Sequence, residues 1–360
     1  MKLLSALLSS ALLMSSAPAY QESSRDEQSS RWGVDATFSI LNAMGSSSHL
    51  LTDLFTSEQE GYPYPVDASI STASVISRAP TDEPGREKWL VASPSMGREI
   101  PVDVVLGSGG PVVYFLEGVD SPETSNWITK GHLKRVFGDS DASIVIPSQG
   151  AGSMWTDWNE DDPKLGRHKW NTFVTQELAP VVEAELHHND KRGLIGLSMG
   201  ASGAVMMANN HPGFFDAVAG VSGCYSTTST VGQGTVDLTV GSLGGNPRNM
   251  WGPHGSPDWV HNDVAANPEG LRGTTLYLSA ATGAWTDEEM AAYPNKSLDD
   301  RIGGTLLEAG SKRCTEEFSA ALDDASLPHT TDYLDSGVHD WVMFGKQLQP
   351  AWDAIKPALY

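Results

Sequence analysis

The chain has 360 residues, and its 39% hydrophobic content and 11 tryptophans are typical of a globular protein rather than a disordered one. It carries 45 acidic against 23 basic residues, which gives a formal net charge of −22. A surface this negative repels phosphate backbones and anionic lipid headgroups, and this argues against a nucleic-acid-binding protein.

Residues 1–19 have the features of a secretory signal peptide. Lys2 supplies a positive charge, residues 3–14 form an apolar run broken only by Ser and Ala, and Ala17-Pro18-Ala19 offers a small-residue cleavage site. A retained amphipathic start is the alternative. The run is too short to span a bilayer, and no later segment approaches the roughly 20 apolar residues that a transmembrane helix needs. We therefore expect a secreted protein of the cell envelope.

Residues 20–84 form an N-terminal extension. Its first part, 20–33, is polar and rich in serine, and we expect it to be disordered. The rest, 34–84, shows no clear periodicity, and the sequence assigns it no role. We expect a single catalytic domain over residues 85–360.

Within this domain, short apolar runs alternate with stretches of helical periodicity. Such alternation predicts a mostly parallel sheet with helices on both faces, as in the α/β-hydrolase fold. Pro180 should kink or shorten the first clear helix. The predicted strands cover 100–106, 112–116, 143–147, 192–197, 217–221, 275–280 and 330–334, and the predicted helices cover 170–186, 199–209, 312–323 and 344–355.

The strongest local signal is the pentapeptide Gly196-Leu197-Ser198-Met199-Gly200. It follows an apolar strand and precedes a helix rich in small residues, which is the context of a nucleophile elbow. A chance Gly-x-Ser-x-Gly in a chain rich in glycine and serine is the alternative, but it would not explain this position. We predict that Ser198 is a catalytic nucleophile beside a helix N-terminus.

A serine nucleophile on this fold needs an acid and then a histidine further along the chain. Among the histidines after Ser198, His339 is best placed because it follows the last predicted strand and precedes the final helix. The acid stays open on the residues alone. Strand order favours Asp287 or Glu288, whereas Glu308 lies in an apolar setting that suits a carboxylate held away from water.

The tetrahedral intermediate of acyl transfer needs two amide donors. We predict the backbone N–H groups of Met199 and of Val119, which follows the strand 112–116. In an exported protein the two cysteines, Cys224 and Cys314, are expected to form a disulfide, with two buried thiols as the alternative. The sequence has no His-Glu-x-x-His motif, and we expect neither a metal nor a cofactor.

The sequence resembles the mycolyltransferases of the antigen 85 type, which are serine acyltransferases of bacteria with a mycolic-acid envelope. The resemblance runs from about Leu90 to Leu359, and its Ser-Met-Gly-Arg and Met-Trp-Gly-Pro segments are more specific than the elbow. The matching segments are Ser95-Met96-Gly97-Arg98-Glu99-Ile100, Tyr114-Phe115-Leu116-Glu117-Gly118, Trp155-Thr156-Asp157-Trp158, the elbow itself, Met250-Trp251-Gly252-Pro253 and His339-Asp340-Trp341.

The resemblance implies that Glu308 is the acid of the triad. It also implies ping-pong transfer of a mycolyl group from trehalose monomycolate to a sugar hydroxyl, either on a second monomycolate or on cell-wall arabinan. Glu117, Trp158 and Trp341 lie in matching segments and are candidate sugar-binding residues. We expect a monomer whose Cys224–Cys314 bridge steadies the segment that carries the acid.

Two departures from the family pattern bear on the substrate. Where the family has Asp-Gly-Leu-Arg, this chain has Glu117-Gly118-Val119-Asp120, so a trehalose-binding arginine is replaced by a carboxylate. A cysteine that many members carry near the site corresponds to Ser279. A plain carboxylesterase of the same fold therefore remains an alternative. So does a non-catalytic protein that binds the cell wall or matrix, although all three triad positions are filled.

Overall fold

The structure is a computed structural model that describes residues 61–360, and the predicted signal peptide and residues 20–60 of the extension lie outside this range. Its centre is a nine-stranded sheet with the order β1-β2-β3-β5-β4-β6-β7-β8-β9. The strands are β1 Ser74–Pro80, β2 Arg86–Ser93, β3 Arg98–Val105, β4 Val112–Leu116, β5 Ser143–Pro147, β6 Arg192–Leu197, β7 Ala217–Val221, β8 Thr275–Ala281 and β9 Thr330–Leu334.

Helices cover both faces of this sheet, where two separate clusters of buried apolar side chains form the core. The third helix, α3, joins three pieces: Trp170–Thr172, a π-helical turn Phe173–Leu178, and Ala179–Glu183. The others are α1 Asn126–Thr129, α2 Leu133–Phe137, α4 Met199–Asn210, α5 Thr230–Ser242, α6 Pro247–Trp251, α7 Pro257–His261, α8 Asp287–Ala292, α9 Leu298–Asp324 and α10 Trp341–Ile355.

The predicted fold class is confirmed. Strands β4 to β9 pair in parallel, while β1, β2 and β3 form an antiparallel edge that joins β5. Strands β4, β5 and β7 are buried along their whole length, as expected for parallel strands covered on both faces. The loops that follow the carboxyl ends of β4, β6 and β9 therefore meet at one edge of the sheet.

Several elements differ from the sequence prediction. The edge strands β1 and β2 were not predicted, and β1 lies ahead of residue 85, where we placed the start of the catalytic domain. Helix α9 begins at Leu298, well before residue 312. Helix α3 ends at Glu183 rather than 186, and its π-helical turn immediately precedes the segment with Pro180, whose missing N–H cannot continue the regular ladder.

The predicted disulfide is present. Cys224 follows β7 and Cys314 lies on α9, with an S–S distance of 2.09 Å. In the chain-entropy model, a bridge with a sequence separation of 90 contributes about 4–5 kcal/mol by restricting the unfolded chain. It joins α9 to the loop beside the nucleophile helix. Within residues 61–360, no helix is both long and apolar enough to cross a membrane.

Candidate active site

Ser198 stands at the turn between β6 and α4, with φ of 51° and ψ of −123°. This left-handed conformation is costly for a residue with a side chain and is kept only where the surroundings impose it. A Cβ atom on Gly196 would lie 2.0 Å from the carbonyl oxygen of Gly200, and one on Gly200 would lie 2.4 Å from that of Leu116. The two glycines of the elbow are therefore required by close backbone approach.

Ser198, His339 and Glu308 form one hydrogen-bonded line. The Oγ atom of Ser198 lies 2.8 Å from Nε2 of His339, and Nδ1 of His339 lies 2.8 Å from Oε2 of Glu308. The acids favoured by strand order alone are elsewhere: Asp287 and Glu288 are exposed on α8, and Glu288 pairs with Lys346. The choice of Glu308, which came from the family resemblance, agrees with this geometry.

Glu308 is fully buried on α9, and its second carboxylate oxygen also has partners. Its Oε1 atom accepts hydrogen bonds from the Ser222 hydroxyl at 2.7 Å and from the Ala281 backbone N–H at 2.7 Å. Ser222 directly follows β7, and Ala281 is the last residue of β8. They fix the plane of the carboxyl group, so that Oε2 faces the imidazole of His339.

His339 is held by the loop between β9 and α10. Its backbone N–H donates to the carbonyl of Gly304 on α9 at 3.1 Å, and its ring meets Phe344 edge-on at 4.9 Å. The next residue, Asp340, caps α10 by accepting from the backbone N–H groups of Val342 and Met343. Burial raises the pKa of Asp340 to about 6. The cap and the α9 contact together orient the imidazole.

The two predicted amide donors lie in the same cleft as the nucleophile. Val119 and Met199 both line it, together with Ser198 and His339. Gly118 brings the chain close to the nucleophile, since a Cβ atom there would lie 3.7 Å from the Cβ of Ser198. We call residues 117–121 the oxyanion loop. Its backbone runs beside Ser198, which is where a developing oxyanion needs donors.

The three predicted sugar-binding residues do not line this cleft. Glu117 is fully buried, and Trp158 is only 1% exposed, with its Nε1 donating to the carbonyl of Ser153. The half-buried Trp341 lies at the start of α10 and packs edge-on against Trp127 of α1 and Phe344 of α10. Glu117 and Trp158 have no surface to offer a sugar, so the prediction for these two is corrected. Their burial depends on tertiary contacts that a single sequence motif does not reveal.

The buried side chain of Glu117 instead anchors the first residue of the oxyanion loop. Its Oε1 atom accepts from the Ser125 hydroxyl and from the Trp127 backbone N–H, whereas its Oε2 atom is buried without a hydrogen-bond partner in the described structure. Burial, and then the nearby charge of Asp120, raise the pKa of the Glu117 carboxyl to about 7. The group is therefore neutral in mildly acidic solution.

The pKa of Glu117 predicts a pH-dependent stability. The carboxyl has its ordinary pKa of 4.5 in the unfolded chain and about 7 in the folded one. Its favourable contribution is thus present below pH 4.5 and is lost as the pH rises to about 7, because only the unfolded chain releases the proton freely. As the pH rises from 4.5 to 8, the free energy of unfolding of Glu117→Gln should therefore increase relative to that of wild type, by up to about 3 kcal/mol. Urea unfolding at the two pH values measures this difference. An equal stability difference at both pH values would contradict this assignment.

The active-site cleft lies between α5 and α9, and its space of about 600 Å³ opens to solvent. The sequence prediction did not include α5, although its cleft-lining residues recur at helical spacing, which could have revealed one face of a helix. These residues are Thr235, Leu238, Thr239 and Ser242, and they face Leu307, Gly310 and Ser311 of α9. In residues 61–360, no three His, Cys, Asp or Glu side chains are grouped to hold a metal ion.

Known proteins share both this sequence and this fold. Residues 93–355 match the family model described as "Putative esterase". The diacylglycerol acyltransferase/mycolyltransferase Ag85A of Mycobacterium tuberculosis H37Rv is 30% identical over 284 residues, which is 76% of this chain and 80% of the relative. Ag85B of Mycobacterium avium, which carries the same description, is 29% identical over 80% of this chain and 86% of its own length.

Solved structures agree with the sequence matches. Mycobacterium tuberculosis MPT51 (FbpC1) superposes with a TM-score of 0.64 at 25% identity, over 75% of this chain and 97% of that one. An S-formylglutathione hydrolase from Agrobacterium tumefaciens, at 16% identity and a TM-score of 0.60 over 80% of this chain and all of its own, shares the fold alone. Given the extent of these matches, the chain belongs to the esterase family and, within it, to the antigen 85-type mycolyltransferases, which makes it an acyltransferase with serine-esterase chemistry.

Proposed function

We propose that this protein is a secreted serine acyltransferase that moves a mycolyl group from trehalose monomycolate to a sugar hydroxyl. The observation that carries the proposal is the unbroken hydrogen-bonded line from Ser198 through His339 to Glu308, which opens into the cleft between α5 and α9. The relatives are named diacylglycerol acyltransferase/mycolyltransferase, and this supports an acyl group as the group that is transferred.

In the first half-reaction, His339 Nε2 takes the hydroxyl proton of Ser198 while Oγ attacks the ester carbonyl carbon of the donor. The resulting oxyanion accepts hydrogen bonds from the backbone N–H groups of Met199 and Val119. Glu308 holds the imidazole in the tautomer that accepts this proton and stabilises the imidazolium that forms. The bond to trehalose then breaks, and trehalose leaves with the proton from His339.

In the second half-reaction, a sugar hydroxyl replaces trehalose at the same place. It gives its proton to His339 and attacks the acyl carbon bound to Ser198, and the bond to Oγ breaks as the proton returns to the serine. The acceptor is a second trehalose monomycolate or cell-wall arabinan. Water in this position would give hydrolysis, which is the reaction of a plain esterase.

The lining of the cleft suits an acyl chain. Leu238 on α5 and Leu307 on α9 face each other across it, and Met154 and Met199 border the end near the nucleophile. Methionine side chains adapt to flexible apolar ligands because they are unbranched. We place the acyl chain between α5 and α9. Val119 of the oxyanion loop borders the same cleft, and the rest of that loop, beyond Val119, is then left for the sugar.

Asp120 is the residue that favours the esterase alternative. It follows Val119 in the oxyanion loop and accepts a hydrogen bond from the Asn126 side chain at 3.1 Å. A carboxylate only accepts hydrogen bonds, whereas the family arginine presents several donors in a fixed fork. The affinity for a sugar acceptor should therefore be lower here than with arginine at this position.

We expect the purified protein to convert trehalose monomycolate into trehalose dimycolate, as measured by mass spectrometry of the lipid products. Asp120→Arg should raise the ratio of transfer to hydrolysis several-fold because it restores donors toward the acceptor, and Asp120→Asn is the control that removes the charge alone. Free mycolic acid as the sole product, with trehalose in excess, would overturn the transferase function and leave the esterase.

A further inference from the structure

The described part of the N-terminal extension reaches the loop that borders the active site. Tyr62 lies ahead of residue 93, where the family match begins. Its hydroxyl donates to the carbonyl of Gln149 at 2.5 Å and accepts from the backbone N–H of Ala151 at 3.1 Å. Burial raises the pKa of Tyr62, so the hydroxyl keeps the proton that this double contact needs.

The segment around Tyr62 is docked on the domain at several points. The backbone N–H of Asp67 donates to the carbonyl of Gly97 at 2.6 Å. The ring of Tyr64 lies 4.6 Å from the guanidinium of Arg98, which in turn donates to the Gln149 side chain at 2.5 Å. The backbone and the side chain of Gln149 are thus both held by this region.

Residues 149–155 follow β5, and we call them the 149–155 loop. Its backbone contains three non-glycine residues with left-handed φ angles: 68° at Gln149, 54° at Met154 and 51° at Trp155. Each such residue costs of the order of 1 kcal/mol or more and persists only where neighbouring contacts impose it. The Tyr62 hydroxyl stabilises this conformation because it forms hydrogen bonds both with the carbonyl of Gln149 and with the backbone N–H of Ala151.

The 149–155 loop in turn holds the oxyanion loop along its length. The Trp155 indole N–H donates to the carbonyl of Glu117 at 2.9 Å, and the Gly152 N–H donates to the carbonyl of Val119 at 3.0 Å. The backbone N–H groups of Gln149 and Gly150 bind the carbonyl and the hydroxyl of Ser121. The peptide units on both sides of the Val119 N–H are therefore fixed by this loop.

We propose that Tyr62 is a positioning residue for the oxyanion hole, acting through the 149–155 loop on the backbone N–H of Val119. This inference rests on the proposed function, in which that N–H stabilises the tetrahedral intermediate. It gives the extension a task in catalysis that lies outside the family match. Loss of the Tyr62 hydroxyl should weaken transition-state stabilisation while leaving substrate binding and the Glu308–His339 pair in place.

The test is steady-state hydrolysis of p-nitrophenyl butyrate by the full chain with Tyr62→Phe, which removes only the hydroxyl. We expect kcat to fall by about tenfold with KM within twofold of wild type, since misplacing an oxyanion donor costs less than the roughly 10²–10³-fold loss that deletion causes. The rate of Ser198 labelling by a fluorophosphonate should fall by the same factor, because the phosphoryl oxygen of the probe develops negative charge in the same oxyanion hole. The pH profile of kcat/KM should not move.

Tyr114→Phe is the matched control. It removes another buried tyrosine hydroxyl, which donates to Glu183 at 2.8 Å and makes no hydrogen bond to the 149–155 loop among the described residues. Tm should fall in this variant while kcat stays at the wild-type value. Wild-type kcat and labelling in Tyr62→Phe, or an equal loss of kcat in Tyr114→Phe, would overturn the inference and leave the proposed function intact. Wild-type protein that is not labelled at Ser198 would overturn both.

Discussion

Replacing Ser198 with alanine should lower ester turnover by about 10⁴- to 10⁶-fold, because loss of the nucleophile removes the covalent route and leaves only binding and the amide donors. Fluorophosphonate labelling and the acyl-enzyme mass should disappear with it. The fold should persist, since His339 is the only hydrogen-bond partner of the Ser198 hydroxyl within residues 61–360. The measurement is burst-phase kinetics with a chromogenic ester, together with intact-protein mass spectrometry.

The chain supplies a matched control in a second serine–histidine pair. Ser319 Oγ lies 2.7 Å from His329 Nε2, and Nδ1 of that histidine lies 3.0 Å from the carbonyl of Leu327 rather than from a carboxylate. Ser319→Ala should leave labelling and turnover unchanged. Acyl-enzyme formation that survives in Ser198→Ala would refute the assignment of the nucleophile.

The contrast between the two pairs shows what the active site adds to a hydrogen bond. Ser198 has a strained backbone, a histidine backed by a buried carboxylate, and neighbouring amides in a cleft. Ser319 lies within the long helix α9, where backbone N–H groups are already used by the helix. Reactivity therefore follows from position at a strand-to-helix turn, which the Gly-x-Ser-x-Gly spacing encodes directly.

This is why the residues alone predicted Ser198 and His339, while Glu308 stayed one of several candidate acids until the family resemblance was considered. The elbow is a local pattern, because its two glycines are required by close backbone approach. A Cβ atom on Gly196 would collide with Gly200, and one on Gly200 would collide with Leu116 at the end of β4. Glu308 lies in the first half of a 27-residue helix that was not predicted there, because Gly303 and Gly304 weaken the helical pattern. Strand order pointed to Asp287 or Glu288, and only the family resemblance singled out Glu308.

The sheet was predicted best where burial makes the pattern simple. Strands such as β4 and β7 are continuous apolar runs buried on both faces. The edge strand β1 is mostly exposed, so its sequence carries little apolar signal. The same limit applies to Trp158, whose motif suggested a sugar contact but whose side chain is in the core. Motifs identify residues that matter, while burial decides whether they face a ligand.

Glu308→Gln should lower kcat by about 10³- to 10⁴-fold with little change in KM, as expected when the triad acid is replaced by its amide. Oε1 accepts from Ser222 and Ala281, so the new amide nitrogen will take the place of Oε2 and donate to Nδ1 of His339. The imidazole is then held with its proton on Nε2, where it cannot accept the proton of Ser198. Pre-steady-state kinetics should show that acylation, not substrate binding, is slowed.

Glu289→Gln separates this effect from the general cost of altering a buried carboxylate. Glu289 is also buried and accepts from the backbone N–H of Val338, directly beside His339, but among the described residues it makes no hydrogen bond to the imidazole. Its replacement should lower Tm while kcat stays within a few-fold of wild type. If Glu308→Gln behaved like Glu289→Gln, Glu308 would be a structural carboxylate and the triad would lack its acid. A much larger loss of kcat in Glu308→Gln, at a comparable Tm, places the chemistry in the Glu308–His339 hydrogen bond.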